Sequence, residues 1–375
     1  MANAADSVWS GRYSRQTRFA PIGEAGQRKL ADACVLIVGV GALGASLAQH
    51  MVRAGVGEVR LADRDFVEPS NLQRQMLFDE ADALAVLPKA VAAANKLRHI
   101  NSAVRVEASV VDVNALTVQQ LAAGADLVLD GTDNAATRLL LSDVCFQRHI
   151  PFIYGGVAGA QGMNAALVPG RTACLRCLIG ASDGEGEADT CDTVGVLSPA
   201  VEFVASLQAA EAIKWLTGNQ DAMRQTWVSV DLWSFRLRES ALPSGREECS
   251  YCGQGHGGNS DANAAAERDD EAMHSVVLCG RDTVQVTLGS TLNLERLEKR
   301  LSVQSFPLTV NRYLVRAKLP GGEQLVIFPD GRVLVQGTTE ASHAVRLCKT
   351  YLLERTTDDY LGMEGSVRNE QGSMA

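Results

Sequence analysis

Residues 34–63 read CVLIVGVGALGASLAQHMVRAGVGEVRLAD, and this stretch decides the fold. An aliphatic run at 34–38 leads into a glycine turn, a helix-like segment and a second apolar run that ends at Asp63. Buried parallel strands are near-continuous aliphatic runs, and strands that alternate with helices indicate a parallel sheet. The stretch therefore predicts a strand–helix–strand unit.

The same alternation continues further along the chain. Apolar segments of helical and strand character follow one another at residues 88–100, 104–110, 117–124, 126–130 and 151–156. Repeated units of this kind build a sheet that is covered by helices on both faces. The sequence thus predicts an α/β fold with a doubly wound, mostly parallel, Rossmann-like sheet.

A phosphate-binding signature lies between the first strand and the first helix of this fold. Gly39, Gly41 and Gly44 have GxGxxG spacing, and Asp63 ends the next strand 24 positions after Gly39. Exposed N–H groups at a helix N-terminus bind phosphate, and an acid at this position accepts hydrogen bonds from ribose hydroxyls. An adenine nucleotide is predicted, with both NAD and ATP left open by this motif.

Polar residues downstream favour ATP. Arg74, Lys89 and Arg15 supply more positive charge than a dinucleotide diphosphate needs, and Asn71 and Gln75 can donate amide hydrogen bonds to neighbouring oxygens. Arginine offers a planar fork to phosphate oxygens, whereas lysine acts as a point charge. We expect this cluster to bind a triphosphate.

An acidic loop is expected at the same edge of the sheet. Asp133 in DGTDN follows the strand that ends at Asp130. Doubly wound folds bind ligands at this edge, and a carboxylate suits Mg²⁺ shared with phosphates. Asp133 is predicted to contact Mg²⁺, with Asp130 kept as the alternative.

Two CxxC motifs predict a zinc site. The paired knuckles supply four soft ligands, which close a tetrahedral structural site. Four reduced, packed thiols are the alternative interpretation. The residues are Cys174, Cys177, Cys249 and Cys252.

The remaining cysteines divide into one exposed thiol and several packed ones. Cys191 falls in GASDGEGEADTCD, a glycine-rich and acidic loop, where exposure favours covalent chemistry but the nearby acids oppose the thiolate. Both readings of Cys191 stay open. Packing positions on apolar patterns are predicted for Cys34, Cys145, Cys279 and Cys348.

Composition excludes several classes of protein. The 375 residues are 46% hydrophobic and carry a net charge of -9, which argues against a nucleic-acid surface. No apolar run reaches the ~18 residues that span a bilayer, and the N-terminus lacks a signal-peptide core. A cytoplasmic protein without a membrane or nucleic-acid partner is expected, and its odd count of nine cysteines does not suggest a disulfide framework.

Composition also predicts the domain boundaries. Residues 1–252 form the large α/β domain with its zinc-bearing extension, and residues 253–273 lack aromatic and β-branched side chains, as a linker does. Strand-like and helical patterns then predict a small α+β domain at 274–357. Residues 358–375 are expected to form a flexible tail.

The motifs, in their order and approximate spacing, resemble the bacterial E1-like adenylyltransferases of the ThiF/MoeB family. That family adenylates the C-terminal glycine carboxylate of a ubiquitin-like sulfur carrier of the ThiS or MoaD type, for thiamine or molybdenum-cofactor biosynthesis. The resemblance covers about residues 11–252 and rests on RYSRQ, VLIVGVGALG, AGVGEVRLADRDFVEPSNLQRQ, LPKA, DGTDN, CLRC, TCDTVGVLSP and CSYC.

The resemblance implies roles for individual residues. Gly41 and Asp63 would lie at the nucleotide, and Asn71, Arg74 and Lys89 would surround the phosphates. In addition, Asp133 would serve Mg²⁺, Arg15 would reach the triphosphate of the opposite subunit of a homodimer, and Cys191 would be placed for a covalent link to the carrier.

The C-terminal segment is similar to an extra domain that a subset of these bacterial enzymes carries, and it does not resemble a rhodanese domain. Carrier docking is expected near YGGVAGAQG, where Gly155, Gly156 and Gly159 permit close backbone approach. The alternatives are an E1-like enzyme acting on a peptide or tRNA base, an NAD-dependent oxidoreductase, and a non-catalytic nucleotide-binding scaffold.

Overall fold

The computed structural model describes residues 11–180, 194–253, 273–278 and 282–353. The chain divides into two compact units, residues 1–268 and 269–375. The greater part of the predicted linker, the tail, Cys191 and Cys279 lie outside the described residues.

The larger unit contains an eight-stranded sheet in the order β3-β2-β1-β4-β5-β6-β7-β8. Neighbours from β3 to β5 are parallel, and β6 to β8 continue the sheet as antiparallel strands. The predicted doubly wound, mostly parallel sheet is confirmed. The strands are β1 Cys34–Val38, β2 Glu58–Asp63, β3 Arg105–Val110, β4 Leu127–Asp130, β5 Phe152–Ala158, β6 Gln161–Leu167, β7 Thr226–Asp231 and β8 Arg236–Ala241.

Helices cover the sheet because its strands are apolar on both faces. The helices are α1 Ser14–Thr17, α2 Gly23–Asp32, α3 Ala42–Ala54, α4 Glu80–Leu84, α5 Lys89–Ile100, α6 Thr117–Leu121, α7 Ala135–Gln147, α8 Leu175–Ile179 and α9 Ser198–Leu216.

Two hydrophobic clusters, one on each face of β1, form the core of this unit. All five residues of β1 are buried, with Val35 and Ile37 in one cluster and Leu36 in the other. The first cluster includes side chains of α3, α5 and α9, such as Met51, and the second includes side chains of α6, α7 and α8, such as Phe146. Each fully buried large side chain stabilises the fold by about 1.5–3 kcal/mol.

The winding reverses between β1 and β4, since β1 pairs with β2 on one side and with β4 on the other. The carboxyl ends of these strands bring Gly39, Asp63 and Asp130 to one edge of the sheet. Ligands of doubly wound folds bind at such a switch point.

The smaller unit is α+β, as predicted. Its six-stranded antiparallel sheet has the order β11-β12-β13-β14-β10-β9, and two helices pack on the sheet around Val284, Leu301 and Ala344. The predicted turn at 329–331 joins two strands, with Gly331 at a φ of 88°. The elements are β9 His274–Leu278, β10 Thr283–Thr287, α10 Leu294–Val303, β11 Leu308–Asn311, β12 Leu314–Lys318, β13 Gln324–Ile327, β14 Arg332–Gln336 and α11 Ala341–Cys348.

In the part of the chain that the structure describes, every helix is too short or too polar to cross a bilayer.

Candidate nucleotide site and cysteine cluster

The three glycines of the loop after β1 differ in how closely other atoms approach them. A Cβ on Gly39, whose φ is 81°, would lie 2.6 Å from the carbonyl oxygen of Gly131, and a Cβ on Gly44 would lie 1.8 Å from that of Gly39. A Cβ on Gly41 would lie 3.8 Å from its nearest neighbour, Gln75 Nε2, which is an ordinary contact distance. Gly39 and Gly44 therefore serve internal packing, while Gly41, the N-cap residue of α3, leaves space for a ligand.

Asp63 ties the glycine loop to the end of β2. Its Oδ2 accepts a hydrogen bond from the Val40 N–H at 2.6 Å, and its Oδ1 accepts one from the Asp65 N–H at 2.7 Å. Burial raises the pKa of Asp63, and the charge of Lys89 opposes this shift. A carboxylate oxygen can accept more than one hydrogen bond, so ribose hydroxyls can share this group.

Lys89 is a buried cation at the same edge. Its side chain is 3% exposed, and Nζ lies 3.2 Å from Asp65 Oδ2. The backbone also holds this lysine, because its N–H donates to the Asp65 carbonyl at 2.8 Å. The fold thus retains a positive charge next to two carboxylates, and the attraction of that charge partly offsets the burial that raises the pKa of Asp63.

The SNLQRQ segment places its polar groups by local hydrogen bonds. Asn71 is buried, and its Oδ1 accepts a hydrogen bond from the Glu68 N–H at 3.1 Å. Arg74 Nη1 donates to the Ser70 carbonyl at 3.0 Å, and no carboxylate among the described residues lies within 4.0 Å of the Arg74 side-chain nitrogens. Gln75 is also buried, and in the described part of the chain its Oε1 has no hydrogen-bond donor.

Asp130 and Asp133 differ in their surroundings. Asp130 is fully buried, and its carboxylate accepts hydrogen bonds from Thr132 Oγ1 at 2.7 Å and from Arg138 Nε at 3.2 Å. Burial raises the pKa of Asp130, against the opposing charge of Arg138. Asp133 is exposed to solvent. Of the two acids, Asp133 is the one that a hydrated cation can approach.

Arg138 and Gln208 belong to this edge of the sheet and were missed in the sequence. Arg138 joins two site segments, because its Nη2 donates to the carbonyls of Thr132 at 2.6 Å and of Gly155 at 3.3 Å. Gln208 Nε2 donates to the Asp130 carbonyl at 2.8 Å. One signal was available: Arg138 is in the first turn of α7, where the helix dipole disfavours a cation that lacks an acidic partner.

Arg15 does not join this cluster within its own chain. Its neighbours anchor α1 at the far end of α3: Gln16 Nε2 donates to the Ala54 carbonyl at 2.9 Å, and the Tyr13 ring lies over Gly55. The 13 residues of α3 separate the two ends by about 20 Å. Arg15 is exposed at the opposite edge of the sheet from the glycine loop.

The glycines of the predicted docking strand are only partly open. A Cβ on Gly155 would lie 2.3 Å from Gln208 Oε1, and a Cβ on Gly156 would lie 2.9 Å from the Tyr154 hydroxyl. The chain's own side chains therefore account for these two glycines, which corrects the expectation of open space above them. Gly159, at a φ of 59°, has no atom within 4 Å of an added Cβ.

The four predicted cysteines form one cluster. Their sulfur atoms all lie within 4.8 Å of one another. The Sγ–Sγ distance is 3.7 Å between Cys174 and Cys249 and 3.6 Å between Cys177 and Cys252. Zinc–sulfur bonds of ~2.3 Å require a tetrahedron with edges of about 3.8 Å, so the cluster fits four-thiolate zinc coordination.

Local groups favour a thiolate at Cys249, whereas burial raises the pKa of Cys177 to about 11, and an ion pair attaches the cluster to α7. Burial opposes ionisation of Cys249, but the N–H groups of Cys252 and Tyr251 outweigh it and lower the pKa of Cys249 to about 7. Between the first two cysteines, Arg176 Nε donates to both carboxylate oxygens of Asp143 at 2.9 Å. Cys34, Cys145 and Cys348 are buried, as predicted for packing residues.

A doubly wound sheet with a glycine loop and buried charges at its switch point is typical of nucleotide-binding α/β enzymes. Residues 13–251 match the model of the ThiF family. The chain belongs to this family. The match confirms the resemblance noted in the sequence.

Curated relatives include adenylyltransferases. The chain is 41% identical over 338 residues to the sulfur carrier protein ThiS adenylyltransferase of Bacillus subtilis, with 89% of this chain and 97% of that protein covered. It is 35% identical to the SAMP-activating enzyme E1 of Haloferax volcanii, over 68% of this chain and 93% of that one. Adenylyltransferase and sulfurtransferase MOCS3-2 of Zea mays is 33% identical, with 67% of this chain and 51% of the maize protein covered.

Solved structures of Escherichia coli MccB share the fold. The complex of MccB with ATP superposes with a TM-score of 0.56 at 23% identity, over 64% of this chain and 74% of MccB.

Proposed function

We propose that this chain is an ATP-dependent adenylyltransferase that activates the C-terminal glycine carboxylate of a ubiquitin-like sulfur carrier of the ThiS or MoaD type. The pathway would be thiamine or molybdenum-cofactor biosynthesis. The observation that carries the proposal is the buried Lys89, held beside Asp65 and Asp63, whose carboxylate accepts a hydrogen bond from Val40 in the loop that carries Gly41. The Bacillus relative supports the thiamine assignment, since its similarity covers 97% of that protein.

The chemistry fits a site without a general base. A terminal carboxylate has a pKa of about 3.5, so it is already an anion at neutral pH. Its oxygen attacks the α-phosphorus of ATP, the bond from that phosphorus to the β-phosphate oxygen breaks, and pyrophosphate departs with the bonding electrons. The main requirement is positive charge and hydrogen-bond donors around the phosphates, which Lys89, Arg74 and Asn71 would provide.

Gln75 would contribute at the same place. Its amide nitrogen Nε2 lies 3.8 Å from the position of a Cβ on Gly41, where it could donate a hydrogen bond to a nucleotide oxygen, and its buried Oε1 lacks a donor among the described atoms. Gly39 and Gly44 would act indirectly by shaping the loop that carries Gly41.

Mg²⁺ and zinc would bind at two different sites. Asp133 would hold Mg²⁺, which supplies a charge that offsets the negative charge of the triphosphate. The exposure of Asp133 and the ion pair of Asp130 with Arg138 favour this assignment. Cys174, Cys177, Cys249 and Cys252 would hold a structural zinc ion, since four thiolates leave no coordination position for a substrate.

A homodimer would complete the site. Arg15 lies about a helix length from the glycine loop of its own chain, so any contact with a triphosphate must be made in a partner subunit. The Cys191 thiolate would attack the carbonyl carbon of the acyl adenylate and form a thioester with the carrier, while the bond from that carbon to the phosphate oxygen breaks and AMP leaves. A cytoplasmic location would keep these thiols reduced.

The test is ATP–pyrophosphate exchange with the full chain and separately purified ThiS-type and MoaD-type carriers. We expect exchange with one carrier and no exchange when the same carrier lacks its terminal glycine. Exchange that proceeds without any carrier, or only with a peptide or tRNA, would overturn the proposed substrate. Calorimetric binding of NAD in preference to ATP would overturn the nucleotide assignment.

A further inference from the structure

An ion pair lies just beyond the predicted ribose acid. Arg64 directly follows Asp63 at the end of β2, and its Nη1 lies 2.9 Å from Asp112 Oδ1. Asp112 follows the neighbouring strand β3, and between them the Val111 N–H donates to the Asp63 carbonyl at 3.2 Å. The two side chains are 29% and 26% exposed, so the pair is open to solvent on one side.

The expected orientation of a bound nucleotide places its base near Arg64 and Asp112. In the proposed function, the phosphates lie at Gly41 after β1 and the ribose lies at Asp63 after β2. Because neighbouring strands are about 4.8 Å apart, the base continues in the same direction, over the end of β3. The following inference rests on the proposed function for this orientation.

We propose that Arg64 and Asp112 form the adenine-recognition site, with the Arg64 guanidinium stacked on the purine and the Asp112 carboxylate accepting a hydrogen bond from its 6-amino group. A guanidinium is planar and weakly hydrated, which suits stacking on an aromatic base. Guanine carries a carbonyl at position 6, and that oxygen would face the Asp112 carboxylate as acceptor against acceptor.

The local structure orients both groups for this task. The ion pair limits rotation of the Arg64 guanidinium, and Thr117 Oγ1 donates to the Asp112 carbonyl at 2.8 Å. Both side chains keep contact with solvent, at 29% and 26% exposure. Urea unfolding of each variant therefore separates a binding role from a structural one.

The experiment measures ATP, GTP and inorganic tripolyphosphate binding to the full chain by calorimetry, without a carrier. We expect Arg64→Ala to weaken ATP binding about tenfold and Arg64→Lys to weaken it nearly as much, because a lysine lacks the stacking plane. Tripolyphosphate should bind these variants and the wild type equally. Asp112→Asn should lower the ratio of ATP to GTP affinity, because an amide can serve either base.

Arg105→Ala is the matched control, since Arg105 lies on β3, the strand that Asp112 follows, and forms an exposed ion pair with Glu107. It should bind ATP as the wild type does. Unchanged ATP affinity in both Arg64 variants, or an unchanged ATP-to-GTP ratio in Asp112→Asn, would overturn the inference. If the Arg64 variants lose tripolyphosphate binding equally, their effect is electrostatic and the stacking role is wrong. A wild-type chain that binds no ATP would instead overturn the proposed function.

Discussion

Replacing Lys89 with methionine tests the buried cation that the site is built around. Nζ lies 3.2 Å from Asp65 Oδ2, which corresponds to an attraction of about 5 kcal/mol at an effective dielectric constant of 20. Desolvation offsets part of this, and breaking a buried ion pair costs about 3–5 kcal/mol. Because Asp65 keeps some solvent contact, we expect Lys89→Met to destabilise the larger unit by about 3 kcal/mol.

The effect on ATP should exceed what destabilisation alone explains. A hydrogen bond to a charged group contributes about 1.5–3 kcal/mol, so loss of the Lys89 ammonium should weaken ATP binding by about 10–100-fold. Calorimetry at a temperature well below the unfolding transition measures this affinity on folded protein. Circular dichroism during urea titration measures the loss of stability.

Lys96→Met is the matched control, because Lys96 lies on the same helix α5 and pairs with Asp79 and, at 3.0 Å, with Asp82 while remaining 27% exposed. Its loss should cost no more than about 1 kcal/mol and leave ATP affinity unchanged. The reasoning is refuted if Lys89→Met binds ATP within threefold of the wild type, or if both variants lose affinity equally.

Three further predictions follow from the same geometry. Gly44→Ala should fail to fold stably, because its Cβ would lie 1.8 Å from the Gly39 carbonyl oxygen. Gly41→Ala should fold normally and lose ATP affinity. Thermal unfolding and calorimetry of both variants check this contrast. Burial raises the pKa of Asp143 to about 6 against the opposing effect of Arg176, so the folded chain binds more protons than the unfolded one between pH 4 and 6. The contribution of Asp143 to the free energy of unfolding should therefore fall by about 3 kcal/mol as pH rises through this window, and Asp143→Asn should remove that slope in urea titrations; an identical slope in the variant would be inconsistent with the shift. Removal of zinc by a strong chelator should lower the unfolding temperature and release one equivalent of metal per chain, and full thermal stability of metal-free protein would contradict the site.

Local patterns were sufficient to predict the strands and helices around the switch point. Residues 34–63 combine an aliphatic strand, a glycine turn and a helix within 30 positions, so neighbouring residues carry the whole signal. The two CxxC motifs likewise predicted the cysteine cluster, because each pair is local and four soft ligands have few other uses.

Local sequence patterns could not predict contacts between residues that are far apart in the sequence. Gln208 lies 78 positions from Asp130, and no local feature of α9 indicates the hydrogen bond between them. Arg64 and Asp112 are separated by 48 positions and come together only because β2 and β3 are neighbours. The sequence likewise could not show that Arg15 lies a helix length from the glycine loop.

Transfer of labelled phosphate tests the central claim most directly. The chain is incubated with its carrier and ATP labelled on either the α- or the γ-phosphate, and label on the carrier is measured by gel. The account predicts label on the carrier from α-labelled ATP alone, lost when the carrier lacks its terminal glycine. Label from γ-labelled ATP, or equal α-labelling of the truncated carrier, would contradict it.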